Sequence, residues 1–155
     1  AMTVAADLMH MVGLARRIRE QAPGIGRRSA SLLQLALVTR RQADECFAAV
    51  HHHFDTARGG SGEEIATDRL EGIVATRGEA TQLFQRVVTE AESGSPALSS
   101  AELELEGAVA GELERISDLA AAVVEQLILN RTGPADHGRE RSGRSPDRLP
   151  ERTRS

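Results

Sequence analysis

Glu114 and Asp118 stand four residues apart in the stretch Leu113–Glu125, which reads LERISDLAAAVVE. On a helix that spacing puts two carboxylates on one face, one turn apart, where they repel each other by roughly 0.2–0.5 kcal/mol and invite a cation. The cation would be an arginine or a metal ion. A hard metal ion needs several oxygen ligands, more than one pair supplies, so a metal held here would be weak or shared across a dimer. Arg77 is the arginine to consider, because the three-four spacing of its apolar neighbours sets it in their seam, where an unpaired charge is strongly unfavourable. It is expected to pair with Glu114, or to lay its aliphatic stem along the seam with the guanidinium at the bundle edge.

The remaining reactive residues give weaker signals. His51, His52 and His53 are adjacent in sequence, and His51 with Asp55 has the i, i+4 spacing of a zinc pair. Successive helical residues point about 100° apart, so the three imidazoles cannot converge on one ion, and a solvated, frayed helix end is expected. Cys46 falls at a core position with no histidine one turn away to activate it, which reads as packing. There is no nucleophile elbow, phosphate-binding glycine loop, His-Glu-x-x-His or cysteine pair, so the chain is expected not to be an enzyme.

Long helices must carry these residues. Val109, Leu113, Ile116, Ala120, Val123 and Leu127 follow alternating steps of four and three, predicting a fourth helix from Ser99 to about Asn130, where Gly133-Pro134 stops it. A second helix, Arg28 to Ala57, carries Leu32, Ala36, Thr39, Ala43, Cys46, Val50 and Phe54 until Arg58-Gly59-Gly60 breaks it. A third, roughly 62–93, stacks Ala66, Leu70, Ile73, Ala80, Phe84, Val87 and Ala91. Ser61 with Glu64 and Ser99 with Glu102 form capping-box patterns at the two later starts. A shorter first helix over residues 2–21 has Leu8, Met11, Leu14, Ala15 and Ile18 on one side. Gly107 and Gly111 share the stripe of Glu114 and Asp118, and glycine inside a helix costs ~1 kcal/mol relative to alanine, which suggests that another helix or a ligand approaches there.

Composition agrees with an all-α fold. The 155 residues are 40% hydrophobic, yet include three Phe, no Trp and no Tyr, so the core is aliphatic and alanine-rich, as suits helices that pack closely. An elongated up-down bundle of three long helices plus a short N-terminal one is predicted over residues 1–130, followed by a disordered Arg/Ser/Pro-rich tail over 131–155. Residues 1–130 hold 12 Arg against 19 acidic side chains, which argues against nucleic acid as a partner, whereas the tail holds 7 Arg against 4. A single cysteine excludes an internal disulfide and a thiolate zinc cluster. No apolar run approaches the ~20 residues of a membrane span, and no leader-like segment is apparent, so a soluble, cytoplasmic protein is expected.

Leu113-Glu114-Arg115-Ile116-Ser117-Asp118, continued by Leu119-Ala120 and Val123-Val124-Glu125, resembles the motif near the end of each repeat in the PhoU family of phosphate-uptake regulators. That pattern is Leu-Glu-Arg-Ile-Gly-Asp, with Ser117 here replacing the glycine. Ala6-Asp7-Leu8-Met9-His10-Met11-Val12 resembles the same motif in a first repeat, with Asp7 at the aspartate position and Thr3 where its glutamate would stand. The resemblance covers about residues 5–130, the last helix of one three-helix repeat and the whole of a second. It implies a PhoU-like bundle that binds a divalent or ferric ion through Glu114 and Asp118, with Asp7 and, on the third helix, Glu79 at related positions. The family's acidic pair on that helix falls here on Ala75 and Glu79. Glu64 and Asp68 have the right spacing but require about three extra turns of helix, whereas the first register puts the added residues in a loop.

The resemblance further implies repression of the phosphate-starvation response through contact with a phosphate transporter or a sensor histidine kinase. Two other readings are a cytosolic helical domain of a sodium-phosphate cotransporter and a purely structural dimerisation bundle. With two helices of the first repeat missing, the apolar side of residues 2–21 is expected to seek cover in a homodimer.

Overall fold

A computed structural model describes residues 2–25, 29–60, 62–93 and 99–132, all of them in helices or the short segments that join them. The helices are α1 (Met2–Gln21), α2 (Ala30–Ala57), α3 (Thr67–Glu92) and α4 (Ser100–Thr132), with a 3-10 turn over Ala22–Gly24 after α1. The 33 residues of α4 make a rod of about 50 Å at 1.5 Å per residue. An all-α, up-down bundle with a short N-terminal helix and three longer ones is thus the architecture, and the described residues contain no strand. The tail expected over 131–155 lies, from residue 133 onward, outside the described residues. No helix among the described residues is long and apolar enough to cross a membrane.

Local chemistry sets the helix ends. Ser29 caps α2 by accepting the Leu32 N–H at 3.1 Å, while its own N–H donates to Oε1 of Glu106, a buried carboxylate on α4, at 3.0 Å. Negative charge there also suits the helix dipole. At the other end Gly59 takes φ +86°, a left-handed conformation open to glycine, and the Gly60 N–H returns to the Asp55 carbonyl at 3.0 Å. The capping box expected at α4 is formed: Glu102 Oε2 accepts from the Ser99 N–H at 2.9 Å, and Ser99 Oγ accepts the Glu102 N–H at 3.3 Å. The Ser99 N–H and, after it, the Ser99 hydroxyl, which donates to the same Oε2 at 3.0 Å, hold the Glu102 carboxyl below its ordinary range.

The start of α3 differs from the sequence expectation. The helix begins at Thr67 rather than near residue 62, and its N-cap, Ala66, has no side-chain oxygen to offer. Residues 62–66 instead run non-helically at the end of α4, where Arg131 donates to the Ile65 carbonyl at 2.5 Å and pairs with Glu64 at 3.4 Å. Glu64 is therefore engaged by Arg131, and its expected capping partner Ser61 lies outside the described residues. Two guanidinium contacts to a distant helix outweigh one local cap.

The core is organised around α4, which touches α1, α2, α3 and the 3-10 turn. Its apolar seam is wholly buried as expected, and Ala110, Ala121 and Val124 are buried beside it, so α4 presents apolar surface on several sides. Near the α1 end the core joins Val4, Met11 and Leu14 to Cys46, Val50, Leu70, Ile73, Ala120 and Val123. Towards the 3-10 turn a second cluster joins Ile25, Leu32 and Leu35 to Ala80, Val87, Val109 and Leu113. Burial of Val4, Met11 and Leu14, with Leu8 and Ile18 half-buried, means that α4 covers most of the expected apolar side of α1 within the chain. Three members of the expected seams are exposed: Phe54, Ala66 and Ala15.

Candidate functional site

Between the two clusters lies a buried polar layer. Gln42 of α2 and Ser117 of α4 are both inaccessible, and the Ser117 hydroxyl donates to Gln42 Oε1 at 2.5 Å. The Gln42 amide in turn donates to the Ile73 carbonyl of α3 at 3.0 Å and to the Ser117 carbonyl at 3.4 Å. One side chain thereby ties three helices at a fixed register, since a slide of any helix would strand these groups without water. Ser117, the residue that departs from the glycine of the motif, has a structural task of its own. Ser117 stands out in the sequence as the departure from that glycine, whereas Gln42 does not stand out. Of the expected α2 seam, Leu32, Thr39, Cys46 and Val50 are buried and Ala36 and Ala43 half-buried; Leu35, Gln42 and Ala49 are buried beside them, and a glutamine one turn from Thr39 and Cys46 is the signal the sequence offers.

Glu114 and Asp118 lie half-buried on the neighbouring stripe of α4. Loss of solvent, and after it the Asp118 charge, raise the Glu114 carboxyl above its ordinary 4.5. Neither carboxylate forms an ion pair with any described cation. Arg77 is an exposed residue of α3 and pairs with Glu125 of α4 at 3.8 Å, not with Glu114, so it lies outside the apolar seam. A long side chain at the α3–α4 edge reaches a solvated carboxylate without desolvating its guanidinium. A Cβ added at Gly107 or Gly111 would meet nothing within 4 Å, so within this chain neither glycine is explained by a close neighbour.

Of the other carboxylates named for a metal, Glu79 is drawn towards α2 by its partner. Glu79 is exposed on α3 and faces Arg41 of α2 at 3.9 Å, about 200° around the helix from Arg77 and its α4 partner. Asp7 is half-buried on α1. Among the described residues no group of three or more His, Cys, Asp or Glu side chains is gathered so as to hold a metal ion.

The histidines follow the geometric argument against convergence. His51 is exposed, while His52 and His53 are half-buried, and the helix runs on to Ala57 rather than fraying at residue 51. His53 meets the Phe54 ring edge-on at 5.8 Å. His52 is tucked against Gly62, where an added Cβ would come within 2.8 Å of the imidazole. Cys46 is fully buried, and burial pushes its thiol up to about 12, which removes the thiolate needed for nucleophilic chemistry.

Comparison of the chain with protein-family models, with curated proteins and with solved structures finds no match. The class defined by the fold is a helical bundle built around one central helix, with an acidic pair on that helix that no cation among the described residues pairs with.

Proposed function

We propose that this chain is a non-enzymatic, PhoU-like regulator of phosphate uptake and phosphate-starvation signalling, acting in the cytoplasm as a homodimer by contact with a phosphate transporter or a sensor histidine kinase. The phosphate connection is supported by the motif around Glu114 and Asp118. The protein-contact part is carried by one observation: these two carboxylates share a half-buried stripe of α4, where burial and then the Asp118 charge raise the Glu114 carboxyl, and neither forms an ion pair with a described cation. With no ion pair to a described arginine, the pair is open to something else, either an arginine of a partner or a metal ion completed by a partner's oxygens.

The test is genetic and chemical together. Deleting the gene in its host is expected to switch on a phosphate-starvation reporter in phosphate-rich medium, and a Glu114→Ala/Asp118→Ala chain should fail to switch it off again. A reporter that stays silent after deletion removes the phosphate reading. Elemental analysis of the same two proteins, purified without chelator or affinity tag, separates the two kinds of partner: metal in the parent and not in the variant indicates an ion, and metal in neither indicates direct protein contact.

A further inference from the structure

The outer face of α2 carries a second apolar line that the fold does not use. Leu33, Leu37, Phe47 and Phe54 are 44, 68, 39 and 53% exposed. With exposed Arg40, Asp44 and His51 among them, they follow the helix in alternating steps of four and three, the spacing of a coiled-coil seam. The seam points away from the buried line through Leu35, Gln42 and Cys46. It borders an open groove of about 420 Å³ between α1 and α2, walled by Val12 and Phe47 and floored by Leu113 and Ile116.

The two charges in the seam specify what can cover it. Arg40 and Asp44 touch each other only at a stretched 4.0 Å. A second α2 laid parallel would set arginine on arginine and aspartate on aspartate. Laid antiparallel, with a two-fold axis crossing the helices at the level of residue 42, each Arg40 meets Asp44 of the other copy. In that same register Leu37 meets Phe47, Leu33 meets His51, and Phe54 meets the small Ala30. A slip of one heptad in either direction leaves both charges opposite Leu33, Leu37, Phe47 or His51, so like-charge repulsion rejects the parallel pair and unpaired charge rejects the slipped ones.

We propose that a second copy of this chain docks antiparallel on the outer face of α2, from Leu33 to Phe54, with reciprocal Arg40–Asp44 pairs at its centre. The apolar stretch is about 32 Å long at 1.5 Å per residue, and its symmetry is that of an isologous dimer. This deepens the homodimer in the functional reading above and rests on no part of the phosphate connection.

Light scattering on the full chain is expected to give twice the 16.6 kDa of one copy. Arg40→Asp and Asp44→Arg each place like charges together and should weaken association at least about tenfold, while an equal mixture of the two recovers the dimer mass. Both residues are exposed, and far-UV circular dichroism checks that helix content is unchanged. For orientation, Leu37→Cys mixed with Phe47→Cys should cross-link on mild oxidation, whereas neither alone does. A wild-type monomer overturns the homodimer and this surface together. A dimer indifferent to the charge variants overturns this surface and leaves the homodimer standing, and Leu37→Cys cross-linking to itself overturns the antiparallel register.

Discussion

At the scale of single residues, the buried polar layer and the acidic pair make opposite demands on stability. Gln42→Leu removes the partner of the Ser117 hydroxyl in a site closed to water, and is expected to cost about 1–3 kcal/mol in a urea titration. Adding Ser117→Ala removes the stranded hydroxyl and should recover part of that loss; a double variant as weak as the sum of the two single ones would show that the layer is not a unit. Glu114 works the other way. The folded chain holds its proton to higher pH than the unfolded chain, so its contribution to stability falls as pH rises from the ordinary 4.5 through the raised folded value, and stays unfavourable above it. Glu114→Gln is therefore expected to stabilise the protein by about 0.2–0.5 kcal/mol at neutral pH, a gain that fades at about pH 3, where both states are protonated. A gain that persists at low pH would assign the effect to something other than charge.

At the scale of elements, the helices are largely foreseeable because their seams repeat over about three to seven turns, long enough for period to decide between helix and strand. The α4 seam, Val109 to Leu127, is buried as the spacing requires. The α3 seam is buried at Leu70, Ile73, Ala80 and Val87, and the α2 seam at Leu32, Thr39, Cys46 and Val50. What spacing does not supply is that Gln42 joins the buried face of α2, where Ser117 and the Ile73 carbonyl satisfy it. The start of α3 was misplaced because the Ser61–Glu64 pattern is local, whereas Arg131, which takes Glu64 instead, is remote in sequence. The acidic pair on α4 is evident from sequence; that Arg77 pairs with Glu125 rather than with Glu114 depends on packing that spacing does not carry. The glycines of α4 provide a test at this scale. Gly107→Ala and Gly111→Ala meet no obstacle within the chain, so each should raise stability by about 1 kcal/mol. Loss of partner binding in the same variants would reveal an approach from outside.

At the scale of the whole molecule, both proposed contacts fall on stripes that face outward. Val4, Met11 and Leu14 of α1 are buried against α4, whereas the apolar line on the outer face of α2 is exposed and the acidic stripe of α4 half-buried. The two stripes belong to different helices, so the proposed self-association and the proposed partner contact draw on different residues. The central position of α4 has one more consequence, in time rather than in space. Synthesis proceeds from the amino end, so α1 leaves the ribosome without the helix that covers it, and the carboxylate of Glu106 that caps α2 has not yet been made. At about 5–20 residues per second, the 33 residues of α4 take roughly 2–7 s to appear. During that interval Met11 and Leu14 have no shelter, and the nascent chain is a client for whatever chaperone stands at the tunnel exit.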